Sequence, residues 1–133
     1  MSYLLDTCTV SDFFKKIPSV ISNFELRSPK QMHISTISVM EIEYGLKLNY
    51  DRETKIRPLW ESLLECISIL PFSHACACAS AELRAQLKTQ GQPIGPYDIL
   101  LAGSAIQYNL TFVTSNGKEF RRIPTLRVED WRF

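Results

Sequence analysis

The chain is expected to fold as an α/β sandwich around a mainly parallel sheet, and three observations carry that expectation. Short apolar runs at Tyr3 to Leu5, His33 to Ile37, Cys66 to Leu70 and Thr111 to Thr114 read as strands. Between them lie stretches whose apolar residues recur at helical spacing, and strands alternating with helices need crossover connections that leave the strands parallel. The third observation is size: 133 residues, 45% of them hydrophobic, can bury a core without a disulfide or structural metal.

The elements follow in order. The first run ends at Asp6, and Thr7 to Lys16 then carries Val10, Phe13, Phe14 and Ile17 at helical spacing until Pro18 closes it. Ser19 to Leu26 forms a second short helix before the Ser28-Pro29 break. After the strand at His33 to Ile37, Ser38 followed by Glu41 fits a capping box, which starts a helix near Val39 that runs to Leu48. Asp51 to Glu65 is an amphipathic helix with Ile56, Leu59, Trp60, Leu63 and Leu64 inward; its Pro58 falls either near the first turn or at a kink. The third strand stops at Pro71, Ser73 caps a helix over Ala75 to Gln90, and Gly91 stops that helix.

Gly91 to Pro96 is a loop. Pro96 suits a first helical position, so Asp98 falls in the first turn of a helix that reaches Tyr108 and ends at Asn109. Thr111 to Thr114 is the fourth strand, Asn116-Gly117 a turn, and Leu126 to Val128 a fifth short strand. No repeat, linker or low-complexity stretch divides the chain, so residues 1–133 are expected to form one domain.

Composition narrows the function. Charged residues make up 22% and the net charge is +1, so no global basic field attracts nucleic acid. Contacts to a polyanion would have to come from local clusters such as Lys15–Lys16, Arg27 with Lys30, or Arg121–Arg122. The four cysteines (Cys8, Cys66, Cys76, Cys78) have no zinc-like spacing and read as reduced thiols of a cytoplasmic protein. Neither a secretory signal nor a membrane span is expected.

Four acids carry the chemistry: Asp6 in LLDT, Glu41 in SVMEIEYG, Asp98 in IGPYDILLA and Glu119 in VTSNGKEF. Each follows or opens a strand end or a helix start. Taken singly, each has an ordinary use: Asp6 as a helix cap, Glu41 within the capping box, Asp98 at a helix dipole, Glu119 at the surface. Taken together they point elsewhere. Carboxylates gathered at one sheet edge would raise one another's pKa values, and a hard divalent cation relieves that repulsion. Such an ion polarises a phosphoryl oxygen and activates water without any histidine. The two histidines, His33 and His74, lie outside the acidic motifs.

The blocks LLDT, STISVMEIEYG, GQPIGPYDILLAGSA and FVTSNGKEFRRIPTLRVEDW strongly resemble the PIN-domain family, in order and spacing over almost the whole chain. The likeness is greatest to the VapC-type toxins of bacterial toxin–antitoxin pairs. The resemblance implies a three-layer α/β/α sandwich with a central, mainly parallel four- or five-stranded sheet, acting as a Mg²⁺- or Mn²⁺-dependent endoribonuclease. By likeness, Asp6, Glu41, Asp98 and Glu119 form the catalytic pocket, with Asp6 and Asp98 on the metal. Thr7, Thr114 and Asn116 would orient them, and Arg84, Arg121 and Arg122 are candidates for holding the RNA backbone. The resemblance further implies transfer RNA as substrate, a cognate antitoxin and a homodimer.

Two positions depart from the family pattern: Cys8 stands where Asn is usual, and Ser115 where many relatives carry Asp. Cys8 motivates an alternative of another class, a PIN-fold binding or regulatory module that keeps the acidic pocket but has weakened catalysis. Glu43 is a rival for Glu41, but on a helix it would point about 200° away.

Overall fold

Alternation along the first strand divides the molecule into layers. A computed structural model describes residues 1–133. In β1 (Tyr3–Leu5), Tyr3 and Leu5 enter one apolar core and Leu4 the other, as side chains on opposite faces of a strand must. Four more strands complete the sheet: β2 (Met32–Ser35), β3 (Ser68–Leu70), β4 (Thr111–Val113) and β5 (Val128–Glu129). All pairings are parallel, in the order β3-β2-β1-β4-β5.

Seven helices flank the sheet. On one face α1 (Thr7–Phe14), α2 (Pro18–Glu25), α3 (Thr36–Lys47) and α4 (Tyr50–Cys66) build a core around Phe14, Ile42, Leu46 and Trp60. On the other, α5 (His74–Thr89), α6 (Pro96–Gln107) and α7 (Gly117–Phe120) enclose Leu83, Leu87, Leu101, Phe112 and Phe120. The α/β/α sandwich with a parallel sheet is therefore the observed architecture. No helix is long and apolar enough to cross a membrane.

The third helix starts earlier than the sequence suggests. β2 ends at Ser35, opposite Leu70, and Ser35 caps α3 by accepting from the Ile37 N–H at 3.0 Å. Ser38 is instead buried inside the first turn, with no partner for its hydroxyl. The Ser38–Glu41 pattern is thus not a capping box; strand pairing sets the register, and Glu41 falls in the second turn. Pro58 lies in the interior of α4 rather than in its first turn. Pro18 opens α2 instead of only closing α1. Asn116-Gly117 leads into the short helix α7, and the fifth strand lies one to two residues later than expected.

Two contacts fix the elements that carry the acids. On α6, a Cβ at Gly103 would come within 2.8 Å of Ser80 Cα, so only glycine lets α5 approach this closely. The C-terminal segment folds back on the first face, where Arg132 pairs with both oxygens of buried Asp12 at 2.7 and 2.9 Å. Arg27 lies against the rings of both Tyr3 and Trp131, at 5.0 and 4.7 Å, which makes it a packing residue.

Candidate active site

The chain runs outward from β1 to β2 and β3, then returns to β4 on the other side of β1. The order therefore reverses between β1 and β4. In open parallel sheets the crevice beyond the carboxyl ends at such a reversal is the usual ligand site. Asp6 and Thr114 are the residues that follow these two strands.

Asp6 is the anchor. As the N-cap of α1 it accepts from the Thr7 N–H at 2.8 Å through Oδ1. Its other oxygen accepts from the Thr114 hydroxyl at 2.8 Å and from the Cys8 thiol at 3.3 Å. Burial nevertheless pushes its carboxyl above the ordinary range, against the pull of these three donors. Thr7, next along the helix, donates its hydroxyl to Glu41 Oε1 at 2.9 Å and so ties α1 to α3. Burial, followed by repulsion from Asp6, raises the Glu41 carboxyl as well.

The β4 side carries the remaining groups. The Asn116 N–H donates to Thr114 Oγ1 at 3.0 Å, and the Asn116 side chain reaches Glu119 Oε2 at 3.4 Å. Asp98 enters from the first turn of α6. Its carboxyl is pushed up to about 6, first by burial and then by repulsion from Asp6, Glu119 and Glu41. Asp98 is thus an electrostatic neighbour of Asp6, 92 positions away, and of Glu41 and Glu119, and the four acids define a candidate acidic cup. None of the four makes an ion pair with a lysine, arginine or histidine.

Glu43 is excluded from the cup. It takes both guanidinium nitrogens of Arg57 at 2.7 and 3.0 Å and the Trp60 indole N–H at 2.7 Å, a structural network that holds α3 to α4. Arg57 also reaches Glu53; its hydrogen bonds to Glu43, and then that of Trp60, hold the Glu43 carboxyl below its ordinary value. His33 contacts the Tyr3 carbonyl and His74 the thiol of Cys78, both away from the cup.

The sequence marked Cys8 only as a departure from the family's Asn, and gave Thr9 no role; the structure gives both a place at the site. Cys8 accepts from the Ser115 N–H at 3.3 Å while donating to Asp6, so one sulfur links the turns after β1 and β4. Burial, then the neighbouring Asp6, raises its thiol pKa, which keeps it protonated as a donor. Thr9 closes the same seam through its hydroxyl to the Val113 carbonyl at 3.0 Å. Neither residue type advertises such a role. Of the candidate RNA-holding residues, Arg84 is exposed on α5, Arg121 lies against Gly117, and Arg122 donates to the Pro93 carbonyl at 3.5 Å.

Comparison with known proteins decides the family. The PIN-domain family model matches residues 3–126. The chain belongs to the PIN-domain family. A ribonuclease, VapC2 of Rickettsia felis, is 38% identical to it over 133 residues, covering 98% of both chains. The tRNA(fMet)-specific endonuclease VapC of Salmonella typhimurium is 34% identical over 131 residues, again with 98% of both covered. Among solved structures, DNA-bound VapBC from Salmonella typhimurium superposes with a TM-score of 0.89 at 34% identity, covering 98% of each chain. Within the PIN-domain family this protein therefore stands with the VapC-type toxin ribonucleases, over essentially their full length.

The acidic cup suits a hard cation. Its side-chain donors are carboxylate oxygens, three of them raised above their ordinary pKa, with no basic side chain to neutralise them. No three His, Cys, Asp or Glu side chains already stand as a ready ligand set. Mg²⁺ does not need one, because it keeps several waters and takes one or two carboxylates directly.

Proposed function

We propose that this chain, acting as a single PIN-like nuclease domain, is a Mg²⁺-dependent endoribonuclease toxin that cuts transfer RNA in the cytoplasm. One observation carries the reading: four carboxylates converge, without a counter-cation, at the point where the strand order reverses. Mn²⁺ satisfies the same oxygen donors and is the expected substitute.

Asp6 and Asp98 would hold the ion, and Glu41 and Glu119 would hold its waters. A bound divalent ion supplies a Lewis acid for the phosphoryl oxygen and makes a neighbouring water more acidic. The protein's own residues do the rest. Three donors fix the Asp6 carboxylate in one rotamer, so its orientation is settled before substrate arrives. The Thr7 hydroxyl steers Glu41, and Asn116 steers Glu119. Asp98, with its carboxyl pushed up to about 6, is mostly ionised at pH 7, and a bound cation would favour that form further.

The transfer-RNA assignment is supported by the Salmonella typhimurium relative, which is named for tRNA(fMet). A cognate antitoxin is the expected protein partner, supported by the likeness to a VapBC structure. Homodimerisation is supported by an exposed apolar stripe along α3 and its C-cap, where Met40, Tyr44 and Leu48 recur every fourth residue.

Incubating purified protein with transfer RNA tests the reading. Cleavage is expected with Mg²⁺, none with excess chelator, and none for Asp6→Asn or Asp98→Asn at unchanged circular dichroism. The alternative rests on Cys8: a pocket that binds but no longer cuts. Cleavage that survives both substitutions would refute the site, whereas ion-induced thermal stabilisation without any cleavage would favour the binding module.

A further inference from the structure

Between α5 and α6 lies an apolar groove of about 720 Å³. That volume falls within the range of sites that take a small organic molecule. Ala81 of α5 forms one wall, and Ile94, Pro96 and Leu100 form the other. Pro96 and Leu100 lie two residues either side of Asp98, about 200° round the helix from it, so the groove and the acids use opposite faces of the same first turns of α6.

The rim has the opposite sign to the cup. Arg84 and Lys88 are four apart on α5, hence on one face, and both line the groove. Neither makes an ion pair. Arg122 reaches the same rim through its contact with the Pro93 carbonyl. A net charge of +1 and four gathered carboxylates cannot hold a phosphodiester by long-range attraction. Local cations must do it, and unpaired ones stand beside an apolar slot on the helix that also carries Asp98.

We propose that the α5–α6 groove is a nucleotide subsite for single-stranded RNA. An unstacked base rests against Ala81, Ile94, Pro96 and Leu100, and the adjoining phosphate lies on Arg84 and Lys88. The inference rests on the reading of the chain as an RNA nuclease. Single strands are held by contact with their unstacked bases together with backbone neutralisation by arginine and lysine, and a base paired and stacked inside a duplex cannot enter such a groove. A protein helix would find apolar walls here too, but a rim of unpaired cations favours a polyanion.

Fluorescence anisotropy of labelled initiator transfer RNA in chelator, where no cutting occurs, reads binding apart from catalysis. Arg84→Ala/Lys88→Ala is expected to weaken binding about tenfold. It should also reduce the slope of log affinity against log salt by about 1.4, or 0.7 for each lost single-strand contact. Ala81→Gln, a neutral side chain at an exposed helix position that fills the slot, should weaken binding without changing that slope. In cleavage assays with Mg²⁺ both losses should appear in KM rather than kcat. Wild-type affinity in the double variant, or in Ala81→Gln, would overturn the subsite. So would variants that keep RNA affinity and lose antitoxin binding, which would assign the groove to protein. If wild-type protein binds RNA through this groove but never cuts it, the nuclease reading fails and the subsite stands.

Discussion

The Asp98 carboxyl, pushed up to about 6, gives a property that one titration can measure. A folded value above the ordinary carboxylate value means that the proton binds the folded state more tightly than the unfolded one. That stabilisation is fully present below about pH 4 and is lost as pH rises through 6. Metal-free protein is therefore expected to melt higher at pH 5 than at pH 7, and Asp98→Asn should flatten the difference while raising the melting temperature at pH 7. Parallel melting curves for the two proteins across that window would show that Asp98 is not strained. Cys8 gives a second prediction at this scale. Serine keeps a donor toward Asp6 and an acceptor for the Ser115 N–H, whereas alanine keeps neither. Cys8→Ala should lose about 10–100-fold in RNA cleavage or metal affinity, as partners of metal-site ligands typically do, and Cys8→Ser should stay near wild type. Equal activity in both variants would show that the sulfur link is incidental.

At the level of elements, the start of α3 separates two serines that look alike on paper. Ser35 caps the helix, so Ser35→Ala should cost about 1 kcal/mol in denaturant unfolding. Ser38 has a buried hydroxyl without a partner, so Ser38→Ala should be neutral or stabilising. The reverse order would restore the capping box at Ser38–Glu41 and move Glu41 to the first turn. The error in reading the sequence has a physical origin. Capping boxes are local patterns, but where β2 stops is decided by pairing with β3, whose last residue, Leu70, precedes Pro71. Where no distant partner intervenes, local signals hold: Ser73 caps α5, Gly91 takes a φ of +68° after it, and Pro96 opens α6 with Asp98 in its first turn.

Across the whole molecule, the C-terminal segment is clasped to α1 by Arg132 and Asp12, 120 residues apart. Asp12 is 2% exposed, so Arg132→Ala would leave a buried carboxylate with no cationic partner. A loss of about 1–3 kcal/mol in unfolding free energy is expected, less than for a fully buried pair because the arginine is half-exposed. Asp12→Asn/Arg132→Ala should recover part of it. A single Arg132→Ala variant as stable as wild type would mean that the clasp contributes nothing. The clasp also bears on the site, because it braces the helix whose N-cap is Asp6.

The amino-acid sequence alone determined the alternation of strands and helices and the parallel sheet that alternation requires, and it singled out four acids as candidates. Those features are written in short-range spacing, in caps and breakers, and in motif order. Only the tertiary structure decided that the acids share one cup, that Glu43 belongs instead to Arg57 and Trp60, and that Cys8 joins two loops. Proximity between residues as far apart as Asp6 and Glu119 follows from the reversal of strand order between β1 and β4, and no window along the chain encodes that crossover.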